Sequence, residues 1–415
     1  MKRISIGLFI VLFGITTATA KEKVAAANKS VNKGVNKNVY KDAYKDVPVA
    51  EQVRSLLQAE TLQRAESALE SVPVTVTATR AERSAGGIHD FYSEGDYWWQ
   101  DPVNPNGPYI RRDGKTNPDN FTAHRHAMIR FSQLVGDLTS AWILTGDKKY
   151  TDAAMRHIHA WFIDPETSMN PNLLYAQAIK GIATGRGIGI IDTIHLIEVA
   201  QALRLMEAQG IIADKELKTI RLWFSDYLTW ISTHRYGIDE MNAKNNHGTC
   251  WTMQAAAFAL FTQNEAMLQF CRERYKTVLL PNQMASDGSF PLELERTKPY
   301  GYALFNLDAM STLCHLLTSL EENVWNYTTS DGRNIDKGIA WLFPFVKDKK
   351  SWKLPADIMF WEEWPVAHPF LLFGSLHHSQ KGQTYFQTWT KLEHFPTNEE
   401  VIRNLPLRHP LLWLN

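Results

Sequence analysis

Seven segments of this chain carry apolar residues every three or four positions, and that recurrence leaves few folds open. They are AMIRFSQLVGDLTSAWILTG, KYTDAAMRHIHAWFI, IDTIHLIEVAQALRLMEA, KELKTIRLWFSDYLTWIST, CWTMQAAAFALFT, EAMLQFCRERYKTVLL and FNLDAMSTLCHLLTSLE. A period near 3.6 gathers the apolar side chains on one face of a helix, whereas strands would need strict alternation. Turn signals such as TGDKK, SDGS and SDGR separate the segments. Val53, Leu56, Leu57, Leu62 and Leu69 predict a further helix from about Val49 to Leu69. Helix pairs recur about forty to sixty residues apart without strict self-similarity, which favours helices wound into a ring over a short-motif repeat array. The expected class is all-α, an (α/α) toroid formed by a single domain over 48–415. No block of short alternating strands is long enough for an appended β-sandwich.

The N-terminus reads as an address. Lys2 and Arg3 precede the apolar run IGLFIVLFGI, and Ala18, Thr19 and Ala20 supply a cleavage site, so residues 1–20 are expected to be a signal peptide. Residues 21–47, with the near-repeats VNKGVNKNV and YKDAYKD, bury little apolar surface and are expected to form a tail. The apolar run is too short to span a bilayer, and no other stretch approaches the ~20 apolar residues that a span requires. A periplasmic or secreted protein without a membrane span is expected. Cys250, Cys271 and Cys314 are too few and too scattered for a disulfide framework or a zinc site, and are expected to be buried free thiols. Lys plus Arg and Asp plus Glu both number 44, so no global basic field points to nucleic acid, and an anionic partner must be held by local groups.

Two places break the helical pattern. One is a stretch dense in Gly, Pro, Asn and aromatics, near 84–120, a length at which loops are commonly functional. The other is NNHGTCW, residues 245–251, where Asn245 or Asn246 is suited to cap the following helix with His247 exposed in its first turn. A second cluster, SDGSFPLELERTKPYGYALFNL, adds Arg296, Tyr300 and Tyr302. An amide, an imidazole, a guanidinium and a phenol together suit β-elimination on a uronic-acid polymer. The C5 proton is weakly acidic because the adjacent carboxylate is charged. Asn, Arg and His neutralise that carboxylate, acting where charge develops. A Tyr whose phenol pKa is lowered by a neighbouring cation then takes the proton and returns it to the O4 leaving group. No metal or organic cofactor is needed.

NNHGTCW resembles the Asn-Asn-His helix start of toroidal alginate lyases, and FPLELERTKPYGYAL resembles their Leu-Glu-Leu-x-Arg segment followed by a catalytic Tyr. MNPNLLYAQAIKG is similar to another segment of these enzymes, and the likeness runs from roughly Gly86 to the C-terminus. The chain is most similar to polysaccharide lyase family thirty-eight and more distantly to family five. The resemblance implies an anionic polysaccharide, alginate first and glucuronan or another polyuronate second, as the partner. It also implies that Asn246 and Arg296 hold the carboxylate, His247 assists or acts as base, and Tyr300 is the acid/base. The spacing from Arg296 to the phenol is shorter than in family five, which keeps Tyr302 as the alternative; Tyr300 is preferred because Tyr302 opens the apolar run YALFNL.

Weaker candidates for substrate contact are Trp98 and Trp99 in FYSEGDYWWQDP, which loop packing explains equally well, His124 and Arg125 in HRH, and Gln177 among apolar neighbours. GRGIGI, residues 185–190, fails the G-x-G-x-x-G pattern of a phosphate loop. Glu293, Glu295, Glu362 and Glu363 keep open a helical-toroid glycoside hydrolase, although no acid pair is identifiable. A non-catalytic glycan-binding protein would keep the aromatic loop without needing the Asn, His, Arg and Tyr set.

Overall fold

A computed structural model of the protein describes residues 48–377 and 381–414. The expected signal peptide and tail, 1–20 and 21–47, lie outside the described residues. The chain divides into two compact units, Met1–Glu60 and Thr61–Asn415. Helix α1, Val49–Leu69, spans the predicted segment, and its residues up to Glu60 belong to the first unit.

The second unit is an (α/α) toroid. Its longer helices are α2 (Ala123–Thr145), α3 (Lys148–Phe162), α4 (Leu196–Ala208), α5 (Asp214–Thr233), α6 (Arg235–Met241), α7 (Asn246–Thr262) and α8 (Glu265–Arg274). They continue with α9 (Pro299–Leu317), α10 (Ile335–Lys347), α11 (Pro369–His377), α12 (Gly382–Trp389) and α13 (Glu399–Arg403). Helices α2, α4, α7, α9 and α11 pack each on the next as an inner series. Helix α3 packs on α2, α5 and α8 on α7, α10 on α9, and α12 on α11.

Sequence decides which layer a helix joins. In α3, Tyr150, Ala153, Ala154, Ile158 and Trp161 are buried while Lys148, Asp152 and Arg156 are exposed, the one-sided pattern of an outer helix. In α7, Cys250, Trp251, Met253 and the run Ala255, Ala256, Ala257 are buried whichever way they face, so this helix is enclosed all round. Helix α9 is the same from Ala303 to Cys314. Large rings fill the gaps between layers: Phe131 stacks on Trp161 with centroids 4.8 Å apart. Each such side chain contributes roughly 1.5–3 kcal/mol on burial. All three cysteines are buried free thiols, as expected.

The aromatic stretch is more ordered than its composition implied. It contains β1 (Tyr92–Glu94), β2 (Trp98–Trp99) and β3 (Ile110–Arg111), and β4 (Tyr175–Ala178) follows α3. Strand β1 pairs in parallel with β4, and β2 pairs antiparallel with β3. These two small sheets carry Asp96, Tyr97, Trp98 and Gln177 to the starts of α7 and α9. Among the described residues no helix is long and apolar enough to cross a membrane.

Candidate active site

A cavity of about 370 Å³ opens where α7 and α9 begin, walled by Asp96, Tyr97, Trp98, Gln177, Arg186, Asn246, His247, Arg296, Tyr302, Phe305 and Arg403, among others. A larger cavity, about 880 Å³, lies among the opposite ends of α4, α7 and α9, but none of the Asn, His, Arg and Tyr set lines it.

Helix α7 starts one turn earlier than its apolar pattern. Asn245 is the N-cap, with an extended backbone and no side-chain capping bond, which leaves Asn246 and His247 in the first turn. Each is aimed by a buried carboxylate. Glu293 accepts from the Asn246 backbone N–H and from its side-chain amide, both at 2.7 Å. Glu240, 1% exposed, lies 2.6 Å from His247 Nδ1. Burial alone would lower the His247 pKa, but the charge and hydrogen bond of Glu240 outweigh it and the value is raised. Burial raises the Glu293 pKa despite the two Asn246 donors. His247 Nε2 has no partner among the described residues, and the ring lines the cavity.

Arg296 lies across from them. Its Nη2 donates to Asp113 at 3.0 Å and approaches the Tyr302 hydroxyl at 3.5 Å, and its guanidinium carbon sits 4.5 Å from the centre of the Tyr302 ring. The Tyr302 and Tyr97 hydroxyls are 2.5 Å apart. The sequence-based expectation that a cation lowers the phenol pKa is corrected here: burial pushes Tyr302 well above its ordinary value, and Arg296 and Lys298 offset only part of that.

The preference for Tyr300 is also not met by the geometry. Tyr300 is fully buried, its hydroxyl donates to the Phe345 carbonyl at 3.1 Å, and Trp352 and Trp361 pack against its ring at 4.9 and 5.3 Å. Residues two apart on a helix point to different sides. Tyr302 and Phe305, three apart, share the side of α9 that faces the cavity.

Of the weaker candidates, Trp98 and Gln177 line the cavity, while Trp99, His124 and Arg125 do not. Trp99 donates to the Lys115 carbonyl, and Arg112 lies over its ring. His124 bridges the Tyr92 N–H and the Thr79 carbonyl, and burial lowers its pKa. Arg125 is 3% exposed and ion-paired to Asp96 and Asp192, so it braces the wall from behind. Arg403 pairs with the same Asp96 at 2.6 Å. Despite burial, the two arginines hold the Asp96 carboxyl down at about 2.

The sequence reading missed Asp96, Tyr97, Arg186 and Arg403, and the carboxylates that aim Asn246 and His247. One signal was available in GRGIGI. A Cβ on Gly185, Gly187 or Gly189 would meet the Leu174 carbonyl, the Tyr236 carbonyl or Ala176 at 1.9, 2.5 and 2.4 Å. These glycines serve close backbone approach, and Arg186 between them reaches the cavity.

Residues 75–352 match the family model of alginate lyase. No curated protein matches the chain by sequence. Among solved structures, an alginate lyase from Bacteroides ovatus is 30% identical, with a TM-score of 0.76 over 95% of this chain and 98% of that one. Alginate lyase A1-III from a Sphingomonas species shares the fold at 13% identity, with a TM-score of 0.51 over 79% of this chain and 89% of that one. A tyrosine-to-phenylalanine variant of A1-III, complexed with a tetrasaccharide, aligns at 15% identity with a TM-score of 0.51 over 79% of this chain and 84% of that one. The chain belongs to the alginate lyase family and is a polysaccharide lyase.

Proposed function

We propose that the protein cleaves alginate by β-elimination in the 370 Å³ cavity, with Tyr302 serving the leaving group and Asn246, His247 and Arg296 facing the carboxylate of the attacked uronate. The observation that carries this reading is the convergence of those four side chains, from two helix starts, on one cavity lined by two phenols. The 30% identical Bacteroides enzyme, an alginate lyase matched over nearly its whole length, supports alginate as the polymer.

The geometry divides the proton transfers. The first-turn amide of Asn246, held by Glu293, and the Arg296 guanidinium stabilise the charge that moves onto the carboxylate when C5 loses its proton. The Tyr302 phenol, whose pKa burial raises, is protonated at rest and ready to protonate O4 as its bond to C4 breaks. In α-L-guluronate the C5 hydrogen and O4 lie on opposite sides, so a second group must take the proton. His247 presents a free Nε2 while Glu240 holds Nδ1, the arrangement of a general base fixed in one tautomer. In β-D-mannuronate the two groups lie on one side. Tyr302 first gives its own proton to solvent, a step eased by Lys298 and Arg296 beside it, then takes the C5 proton as phenolate and returns it to O4 as the C4–O4 bond breaks.

The test is to incubate the purified protein with polymannuronate, polyguluronate and glucuronan and follow the ultraviolet absorbance of the unsaturated uronate. Absorbance on either alginate block supports the reading. New reducing ends without absorbance, or product from glucuronan alone, overturn it.

A further inference from the structure

The cavity holds more cation than one carboxylate requires, and its arginines are not equivalent. Arg296 is ion-paired with Asp113, and Arg403 with Asp96 and Glu400. Arg186 is different. Among the described residues no carboxylate lies within 4.0 Å of its guanidinium, although it is largely enclosed. Burial, and then repulsion from Arg111, lowers its pKa to about 10, which leaves it cationic at neutral pH.

Neutral groups fix its position. Nε donates to the Gln177 backbone carbonyl at 2.7 Å, and Nη2 to the Gln177 Oε1 at 3.3 Å. Nη1 has no partner among the described residues. Gln177 adopts a left-handed φ of 53°, which a non-glycine residue rarely does, and the Ser93 hydroxyl accepts its N–H at 2.8 Å. Backbone strain of this kind persists only where surrounding contacts over-determine it, and it clusters at ligand sites. The guanidinium carbon lies 5.9 Å from the centre of the Trp98 ring. Gly95 makes that approach possible, because a Cβ there would meet Trp98 at 2.6 Å and Arg186 at 2.8 Å. An unpaired guanidinium beside a flat aromatic face, on the wall of a sugar-sized cavity, has the chemistry to bind one carboxylate and stack one pyranose ring.

We infer that Arg186, with Trp98 and Gln177, forms a second carboxylate subsite that binds a uronate neighbouring the one cleaved and sets the register of the polymer. This rests on the reading of the cavity as the lyase site. The interaction is made equally in the ground and transition states, so it acts on KM and leaves kcat nearly alone.

The experiment compares wild type, Arg186→Ala and Arg186→Lys on guluronate and mannuronate oligomers of two to six residues. Arg186→Ala is expected to raise KM about 10–100-fold on the longer oligomers with kcat changed less than about threefold, as the loss of one charge-assisted contact of roughly 1.5–3 kcal/mol implies. Oligomers too short to fill this subsite show no change, and Arg186→Lys recovers part of the loss. In parallel, calorimetric titration in the Tyr302→Phe background compares a tetrasaccharide with its carboxyl-reduced neutral analogue. The Arg186→Ala change should weaken binding of the charged sugar and leave the neutral one unaltered. A uniform fall in kcat at every length, or equal loss for charged and neutral sugars, would show that Arg186 only props Gln177 and would overturn the inference. A wild type inactive on every polyuronate would instead remove the underlying reading.

Discussion

The cluster around His247 and the cluster around His409 are built from the same kinds of side chain. Near the C-terminus, His409 Nδ1 lies 2.8 Å from Glu198, and Nε2 lies 3.3 Å from Asp137. Glu198 also accepts the backbone N–H groups of Arg408 and His409, and Arg64 pairs with Asp137 at 3.0 Å. Glu198 and His409 are 0% and 4% exposed, and Arg408 donates through Nη1 and Nη2 to Gln133 and Ser132 of α2. Its buried Nε, 3.7 Å from Glu198, is left without a hydrogen bond but lines neither cavity. This cluster clamps the last segment onto the inner helices. At the cavity, His247 uses one nitrogen and keeps the other free, and the Asn246 amide has a second N–H beyond the one that Glu293 accepts. A histidine between carboxylates is therefore not in itself a catalytic sign. Unused hydrogen-bonding capacity facing a cavity is what separates the two.

The sharpest break of that comparison is at the two tyrosines. Tyr302→Phe should lower turnover by about 10²–10⁴, the span of a lost general acid or base. Tyr300→Phe deletes only a bond to the Phe345 carbonyl, so turnover should stay near wild type while stability falls by about 0.5–1.5 kcal/mol. Steady-state rates and denaturant melts of both variants check this, and the reverse pattern would return the role to Tyr300. Next in size, Asn246→Ala and Arg296→Ala should each cost about 10²–10³ in kcat, the usual loss of one preorganised charge-stabilising donor. Full activity in both on every polyuronate would reduce the start of α7 to a capped helix.

The pair also shows what was legible in the sequence. Apolar periodicity located the helices because burial imposes it, and NNHGTCW was visible as a polar interruption with nothing apolar to recommend it. Which of two phenols two residues apart faces the cavity depends on the azimuth of α9 against its neighbours, which tertiary packing sets. The pairing of Tyr302 with Phe305 was a usable signal, since three-residue spacing shares a face. Arg403 was not legible, because it reaches the site from a distant segment. Glu240 and Glu293 stand near His247 and Arg296 in the chain but look there like ordinary surface charges; only the fold buries them against His247 and Asn246. His124 and Arg125 failed for the opposite reason. Their polar character was plain, but their partners Thr79, Asp96 and Asp192 are brought to them only by the fold.

A more selective effect is expected at His247 itself. If both block types are cut, His247→Ala should impair guluronate cleavage at least as severely as mannuronate cleavage, by about 10²–10⁴ where the histidine is the base. Relative kcat/KM on the two block polymers measures it. Loss on mannuronate with guluronate cleavage intact would refute the division of proton transfers.

The smallest expected effect sets the two histidine clusters against each other by pH. Both imidazole pKa values are raised: burial lowers each, but Glu240 at one site, and Glu198 with Asp137 at the other, more than compensate. For His247 as base the neutral form is the active one, so guluronate kcat/KM rises as pH climbs through its pKa, and Glu240→Gln should move that rise to lower pH. For His409 the charged form holds the clamp. A folded pKa raised above the unfolded value of about 6.5 gives a stabilising contribution that is full below that value and is lost as pH rises through the folded pKa. Buried His157, His195 and His315 have lowered values and act with the opposite sign, so the melting curve of the wild type alone does not isolate the effect. The difference between wild type and His409→Gln does. It should be largest near pH 6 and shrink by a few degrees in melting temperature as pH rises, about 2–4 °C per kcal/mol for a large domain. Activity on guluronate climbs over the same interval. A difference that grows with pH instead would mean that His409 is neutral in the folded protein and that the clamp is held by Arg64 and Arg408.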